Sequence, residues 1–149
     1  MRIGFIVLLV LLQGFQERAR SVEQRVFAKI NEVRGAHQVA ALRWNARIAE
    51  QARHHSERMA DRHFMSHYDP QFGGPGDRLS RAGIAWRACA ENIYQDSGYR
   101  DPERSATQSW MESSGHRKNL LSGTYTDTGI GVAIGARGEY IITQIFAAF

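Results

Sequence analysis

The chain has 149 residues, 43% of them hydrophobic and 23% charged, enough for one domain with a buried core. That balance excludes collagen-like, low-complexity and wholly disordered classes. Nineteen basic residues against 15 acidic ones give a formal net charge of +4. The arginines alternate with acids, as in "RHHSERMADRH" (53–63), so no basic stripe forms and no nucleic-acid partner is expected. Attraction to anionic cell-envelope polymers is the more natural consequence of the charge.

The first 20 residues, "MRIGFIVLLVLLQGFQERAR", place Arg2 before an apolar run from Ile3 to Leu12. A basic start followed by roughly 7–15 apolar residues is the pattern of a secretory signal peptide. The run falls short of the about 20 residues a membrane-spanning helix needs, and no small-x-small cleavage site follows it. Residues 1–20 are therefore expected to be a signal peptide or a short N-terminal membrane anchor, and residues 21–149 the folded domain. An apolar first helix packed on that domain is the alternative. The expected location is secreted or otherwise extracytoplasmic, with membrane contact only through the N-terminal segment. Cys89 is the only cysteine, so no intramolecular disulfide can staple the fold.

Beyond the leader, Ser21 can cap a helix carrying Val22, Val26, Ile30 and Val33 on one stripe. Asn45 can cap the next, with Ile48, Ala52, His55 and Met59 on one face and His54 pointing away. His55 on such a face reads as a hydrogen-bonded core residue. "SHYDPQFGGPGDRL" (66–79) is a loop, with Asp77 opening a short helical turn that closes at Gly83. "IAWRACAEN" (84–92) alternates like a strand and leads into Glu91 and Asn92; alternation sets Cys89 opposite Ala88 and Ala90. Asp101 and Pro102 make an N-cap and first-turn pair for a helix bearing Trp110. Gly115 is expected to end that helix. Two strands joined by "GARG" (135–138) finish the chain, and Gly129, Gly131 and Ala133 share one face, where small residues admit a close neighbour. Trp44, Trp86 and Trp110 read mostly as core. The order of elements argues α+β, helices covering an antiparallel sheet.

Three polar groups stand outside the regular elements or at their edges: His67 in "FMSHYDP", Glu91 in "CAENIY" and His116 in "SSGHRKNLL". Spacing alone does not bring them together. Six segments in order carry more information: "HFMSHYDP", "DRLSRAG", "AENIY", "SWMESSGHRKNLL", "YTDTGIGVAI" and "YIITQIFA". Through them the chain from about Val22 to Phe149 resembles the CAP superfamily, also called the SCP or cysteine-rich secretory, antigen 5 and pathogenesis-related-1 domain, in its short bacterial form. The resemblance implies a three-layer α-β-α sandwich with a central antiparallel sheet and a cleft. In fuller members two histidines and two carboxylates meet there. Motif by motif, the resemblance puts His67 at the first histidine, Glu91 at the carboxylate of the "EN" motif and His116 at the second histidine. It also implies that the helix ends at Gly115 so that His116 turns into the cleft. The family's other carboxylate stands three residues after the helix tryptophan, which here is Ser113. Glu112 is adjacent but about 100° around the helix, so the tetrad is incomplete.

Two imidazoles and one carboxylate form a set that zinc or another divalent metal can use, with a position left for water. His67 and His116 are the candidate metal ligands; no "HExxH" helix accompanies them, and the glycine-rich stretch after "HFMSH" argues against a long helix joining His63 to His67. The same three groups can equally form a hydrogen-bond network that pins loops together. The expected function is an exported binding module whose polar His/Glu cleft recognises an extracellular or cell-envelope ligand, lipid included. One alternative is a metal-assisted, peptidase-like hydrolase using His67, Glu91 and His116. Another is a surface interaction protein with a purely structural cleft. Whether the chain is an enzyme stays open at this stage, and a monomer is the default.

Overall fold

The computed structural model describes residues 2–98 and 100–149, with side chains from Gln13 onward. The chain runs α1 (Arg2–Ala36), β1 (Arg43–Trp44), α2 (Ala46–Arg62), α3 (Pro75–Arg81), β2 (Ala88–Gln95), α4 (Pro102–Glu112), α5 (Ser114–Leu120), β3 (Asp127–Ile134) and β4 (Tyr140–Ala148). The strands form one sheet in the order β1-β3-β4-β2. The long pairs are antiparallel and the two-residue β1 lies parallel to β3 at the edge.

Both faces of the sheet are covered, which explains why β4 is buried at every position from Tyr140 to Ala148. Strand alternation sends Tyr140, Ile142 and Phe146 to one side, where they meet Val22, Val26 and Ile30 of α1 and Trp110 of α4. It sends Ile145 and Ala147 to the other, against Ile48 and Ala52 of α2 and Leu79 of α3. The architecture is thus the expected α-β-α sandwich. Cys89 packs with the second cluster and Ala90 with the first, as alternation requires.

Two buried charged side chains join the layers. Glu23 of α1 accepts from Arg53 Nε at 2.9 Å and Nη2 at 2.8 Å, and from the Val132 N–H at 3.2 Å. It therefore caps a strand edge that β1 is too short to cover. Arg34 donates to the carbonyls of Ala40, Leu120 and Ser122, anchoring the C-terminal end of α5 with a cation where the helix dipole is negative.

Local expectations hold in several places and fail in others. Asn45 caps α2 by accepting from the N–H groups of Arg47 and Ile48. Asp77 accepts from the Gly74 N–H at 2.9 Å, so α3 starts two residues before it, at Pro75. His63 ends α2 in the left-handed conformation, φ 54°, which keeps it off any helix with His67. Ser21, in contrast, caps nothing: α1 is continuous, and the Ser21 hydroxyl accepts from Arg25 at 2.7 Å. The expected leader, residues 1–20, thus lies on α1, with Met1 and the side chains of residues 2–12 outside the described set. Trp86 is 38% exposed rather than core, covering Gly76 and donating to the Ser80 hydroxyl at 3.2 Å.

Gly115 does not stop a helix. Ser113, extended at φ −90° and ψ 121°, separates α4 from α5, and Gly115 and His116 both lie inside α5. The stop comes two residues early because Ser113 leaves the helical region and serves both helices as a cap residue.

The paired glycines of β3 set how closely α2 approaches. A Cβ on Gly131 would sit 1.9 Å from the backbone nitrogen of Arg53, and one on Gly129 would sit 2.0 Å from that of Ala49. Rigid helix backbone offers no relief. Gly131→Ala is expected to destabilise by at least the about 1–3 kcal/mol typical of overpacking, measured by urea unfolding. Gly115→Ala, with nothing within 4 Å of its added methyl, is expected to stabilise by about 0.5–1 kcal/mol.

Candidate functional site

Glu91 stands on β2, the sheet edge opposite β1, and its side chain is 1% exposed. A carboxylate there needs partners for both oxygens. Oε2 accepts from Arg78 Nη2 at 2.6 Å, and Oε1 accepts from His67 Nδ1 at 2.9 Å. Arg78 comes from α3 and is itself nearly buried, at 5%. Its Nη2 and Nε also reach the carbonyls of His67 and Gly74, both at 3.3 Å. One arginine thus ties the His67 loop, the start of α3 and the β2 carboxylate together.

The hydrogen bond to Glu91 orients His67: in the neutral ring it puts the proton on Nδ1 and leaves the lone pair on Nε2. The His67 side chain is half exposed, so the ring is within reach of solvent. His116 faces it from α5, the ring centroids 6.2 Å apart and the planes at 62°. Burial, with the neighbouring His67 charge second, lowers the His116 pKa below the ordinary histidine value and favours the neutral ring.

His116 is held through its backbone. Its carbonyl accepts from Asn92 Nδ2 at 3.1 Å, while Asn119 donates to the Glu91 carbonyl at 3.3 Å and to Asn92 Oδ1 at 3.0 Å. The two asparagines so fasten α5 along the open edge of β2. The loop on the other side is equally tied. Asp69 is fully buried and accepts from Arg58, from Gln71 N–H at 2.8 Å and from Phe72 N–H at 3.1 Å. These bonds, Arg58 foremost, lower its pKa to about 2.

The structure therefore brings His67, Glu91 and His116 together. Ser113 lies at the α4–α5 junction, and no hydrogen bond joins its hydroxyl to the other three among the described residues. Two site residues escaped the sequence reading. Arg78 is one of many arginines, and nothing in "DRLSRAG" singles it out. His55 was expected to be buried and hydrogen-bonded, and it is, donating Nε2–H to the Ser66 carbonyl at 2.9 Å. The same nitrogen lies 3.9 Å from Glu91, which makes His55 the floor of the site. Burial lowers its pKa, the Arg78 charge adding to the effect against the opposing pull of Glu91.

As a metal set the trio is restricted. Glu91 has spent one oxygen on a guanidinium and the other on His67, so it cannot ligate without breaking a buried pair. Among the described residues, no group of three or more His, Cys, Asp or Glu is placed to hold a metal ion. What remains is two imidazole nitrogens. Acid–base work by Glu91 is limited for the same reason, while His67, oriented by a carboxylate and half exposed, has the arrangement of a base.

Two predictions follow from these contacts. Arg78→Met keeps the volume but leaves Glu91 as an unpaired buried charge, so a loss of about 3–5 kcal/mol is expected in urea unfolding. The second concerns pH. With both His55 and His116 lowered in the folded state, the unfolded chain takes up protons first as pH falls below about 6.5. Their stabilisation is complete above that pH and is lost as pH falls through the folded values. The stabilisation from Asp69, held near 2, is intact across this range and is lost only in more acid solution. The melting temperature is expected to fall between pH 7 and pH 5, and the fall to shrink in His55→Gln.

The family model described as the cysteine-rich secretory protein family, CAP, matches residues 27–146. Over 110 residues the chain is 36% identical to YlbC of Bacillus subtilis, an uncharacterized membrane protein, covering 74% of this chain and 31% of YlbC. The crystal structure of an extracellular SCP-domain protein from Bacillus anthracis superposes with a TM-score of 0.81 at 32% identity, covering 91% of this chain and 43% of that one. A cysteine-rich secretory protein of Staphylococcus aureus, SAV1118, gives a TM-score of 0.67 at 22% identity, covering 88% of this chain and 40% of that one. The chain spans less than half the length of each of these relatives. With the matched region containing His67, Glu91 and His116, the chain belongs to the CAP family of cysteine-rich secretory proteins.

Proposed function

We propose that this CAP domain is an exported binding module whose cleft recognises an extracellular or cell-envelope ligand through the outward nitrogens of His67 and His116. The observation that carries the reading is the commitment of Glu91: both its oxygens are engaged inside the protein, so its work is to hold His67 in place. A cleft whose acid is occupied and whose imidazoles are presented on tied-down elements is built to receive a partner with little reorganisation. The extracellular description of the Bacillus anthracis relative supports export, as do the basic start and apolar run of residues 1–12. Among the described residues, no helix is long and apolar enough to cross a membrane.

Metal-assisted hydrolysis is the second reading, favoured by one feature: two histidine rings 6.2 Å apart, one oriented by a carboxylate. A divalent metal such as zinc held there would have two imidazole ligands and would complete its shell with water, an open arrangement that can activate water or polarise a carbonyl. Nearby Arg78 opposes a cation electrostatically, which argues for weak occupancy.

The readings separate in two measurements on the full chain. Under the binding reading, it co-sediments with purified cell-wall sacculi or with phospholipid vesicles, and His67→Ala/His116→Ala, still folded, does not. Retention unchanged in that variant would refute cleft recognition and favour a surface partner with a structural cleft. Calorimetry with zinc alone tests the second reading: submicromolar binding lost in the double variant would bring the hydrolase to the front.

A further inference from the structure

A recess of about 780 Å³ is lined by Arg58 and Arg62, near the end of α2, and by the loop that follows, from Phe64 to Gln71. His67 belongs to that loop, but neither it nor Glu91 nor His116 lines the recess. No Asp or Glu lines it either, so its charge is that of two guanidinium groups. Arg58 is engaged: it donates to buried Asp69 from Nη2 at 3.1 Å and lies 4.6 Å from the centre of the Phe72 ring. Arg62 is exposed and enters no ion pair among the described residues.

The loop facing these arginines is held in shape from within. Asp69 accepts from the Gln71 and Phe72 N–H groups, and the Tyr68 N–H donates to the Ser66 hydroxyl at 3.1 Å. On that backbone the Tyr68 side chain stands 63% exposed, more than any other large hydrophobic residue described. The recess therefore joins an aromatic platform in water to a cation without a counter-charge.

That combination selects a ligand. A cation is repelled by both arginines, and a wholly apolar molecule would strip water from them without replacing it. A bare inorganic anion answers Arg62 and leaves Tyr68 and Pro70 unused. A sugar ring offers a face of C–H groups to an aromatic ring, and a carboxylate on that sugar matches the fork of a guanidinium. We propose that this recess binds a carboxylate-bearing sugar, the ring lying on Tyr68 and the carboxylate meeting Arg62. Its volume falls within the roughly 300–1,000 Å³ of small-molecule sites, and a loop already tied down loses little freedom on binding. The inference rests on the cell-envelope reading only for where such a sugar is met; the cleft histidines take no part in it.

Proton–nitrogen correlation spectra of the full chain, titrated separately with N-acetylmuramic acid, N-acetylglucosamine, acetate and phosphate, test it. The two sugars differ by one carboxylate-bearing ether group. Saturable shifts of the Phe64, Tyr68 and Gln71 amides are expected with N-acetylmuramic acid, and binding about fivefold weaker with N-acetylglucosamine, the upper end for an exposed charge pair. Arg62→Gln is expected to remove that preference and Tyr68→Ala to weaken both sugars, each variant changing an exposed side chain. The shifts persist in His67→Ala/His116→Ala. Equal binding of the two sugars, saturation by acetate or phosphate at the same concentrations, or no saturable shift with any of the four would overturn the proposal. So would a preference that survives Arg62→Gln, binding undiminished in Tyr68→Ala, or shifts that vanish with the cleft histidines. Unchanged retention of the cleft variant on sacculi refutes the cleft reading and leaves these spectra as they are, so the two fail separately.

Discussion

The buried carboxylate of Glu91 is the constraint around which the polar half of this domain is arranged. A charge at 1% exposure is tolerable only when its oxygens are occupied. Arg78 answers from one direction and His67 from another, and those answers place α3 and the 63–74 loop over the sheet. The arrangement is costly to break and modest in what it adds to stability, since two ions have lost their water. Its return is specificity of position: the contact from Nδ1 to Glu91 gives the His67 ring one orientation.

The apolar frame was legible in the sequence because it rests on periodicity. Val22, Val26 and Ile30 mark a helical stripe, and Tyr140 to Ala148 a strand buried on both faces. Asn45 and Pro102 announced helix starts through local chemistry that any cap must satisfy. Gly115 misled because glycine is permissive: it is compatible with a helix end and does not require one. The break fell at Ser113, whose extended backbone no composition rule marks. Ser21 misled in the same way, a good cap residue placed where the helix simply continues.

The site was legible in its titratable loop residues and illegible in what supports them. His67, Glu91 and His116 were found through ordered motifs, whereas Arg78 reaches Glu91 across 13 positions of chain and looks like any other arginine until the fold is known. His55 shows the limit most clearly. Its burial followed from the α2 stripe, but its distance to Glu91 depends on how α2 lies on the sheet, a tertiary quantity with no local signature.

That last distance leads back to β3. Gly129 and Gly131 present no side chains to α2, so the helix settles onto the strand backbone with no spacer between them. The two missing methyl groups act as a ruler: they fix the height of the helix above the sheet, and with it the level at which His55 meets the carboxylate. The position of His55 beneath Glu91 is thereby set by glycines on a strand at the opposite side of β4 from the carboxylate. The level of His55 beside Glu91 can therefore be tuned from the sheet, without altering any residue that touches the carboxylate.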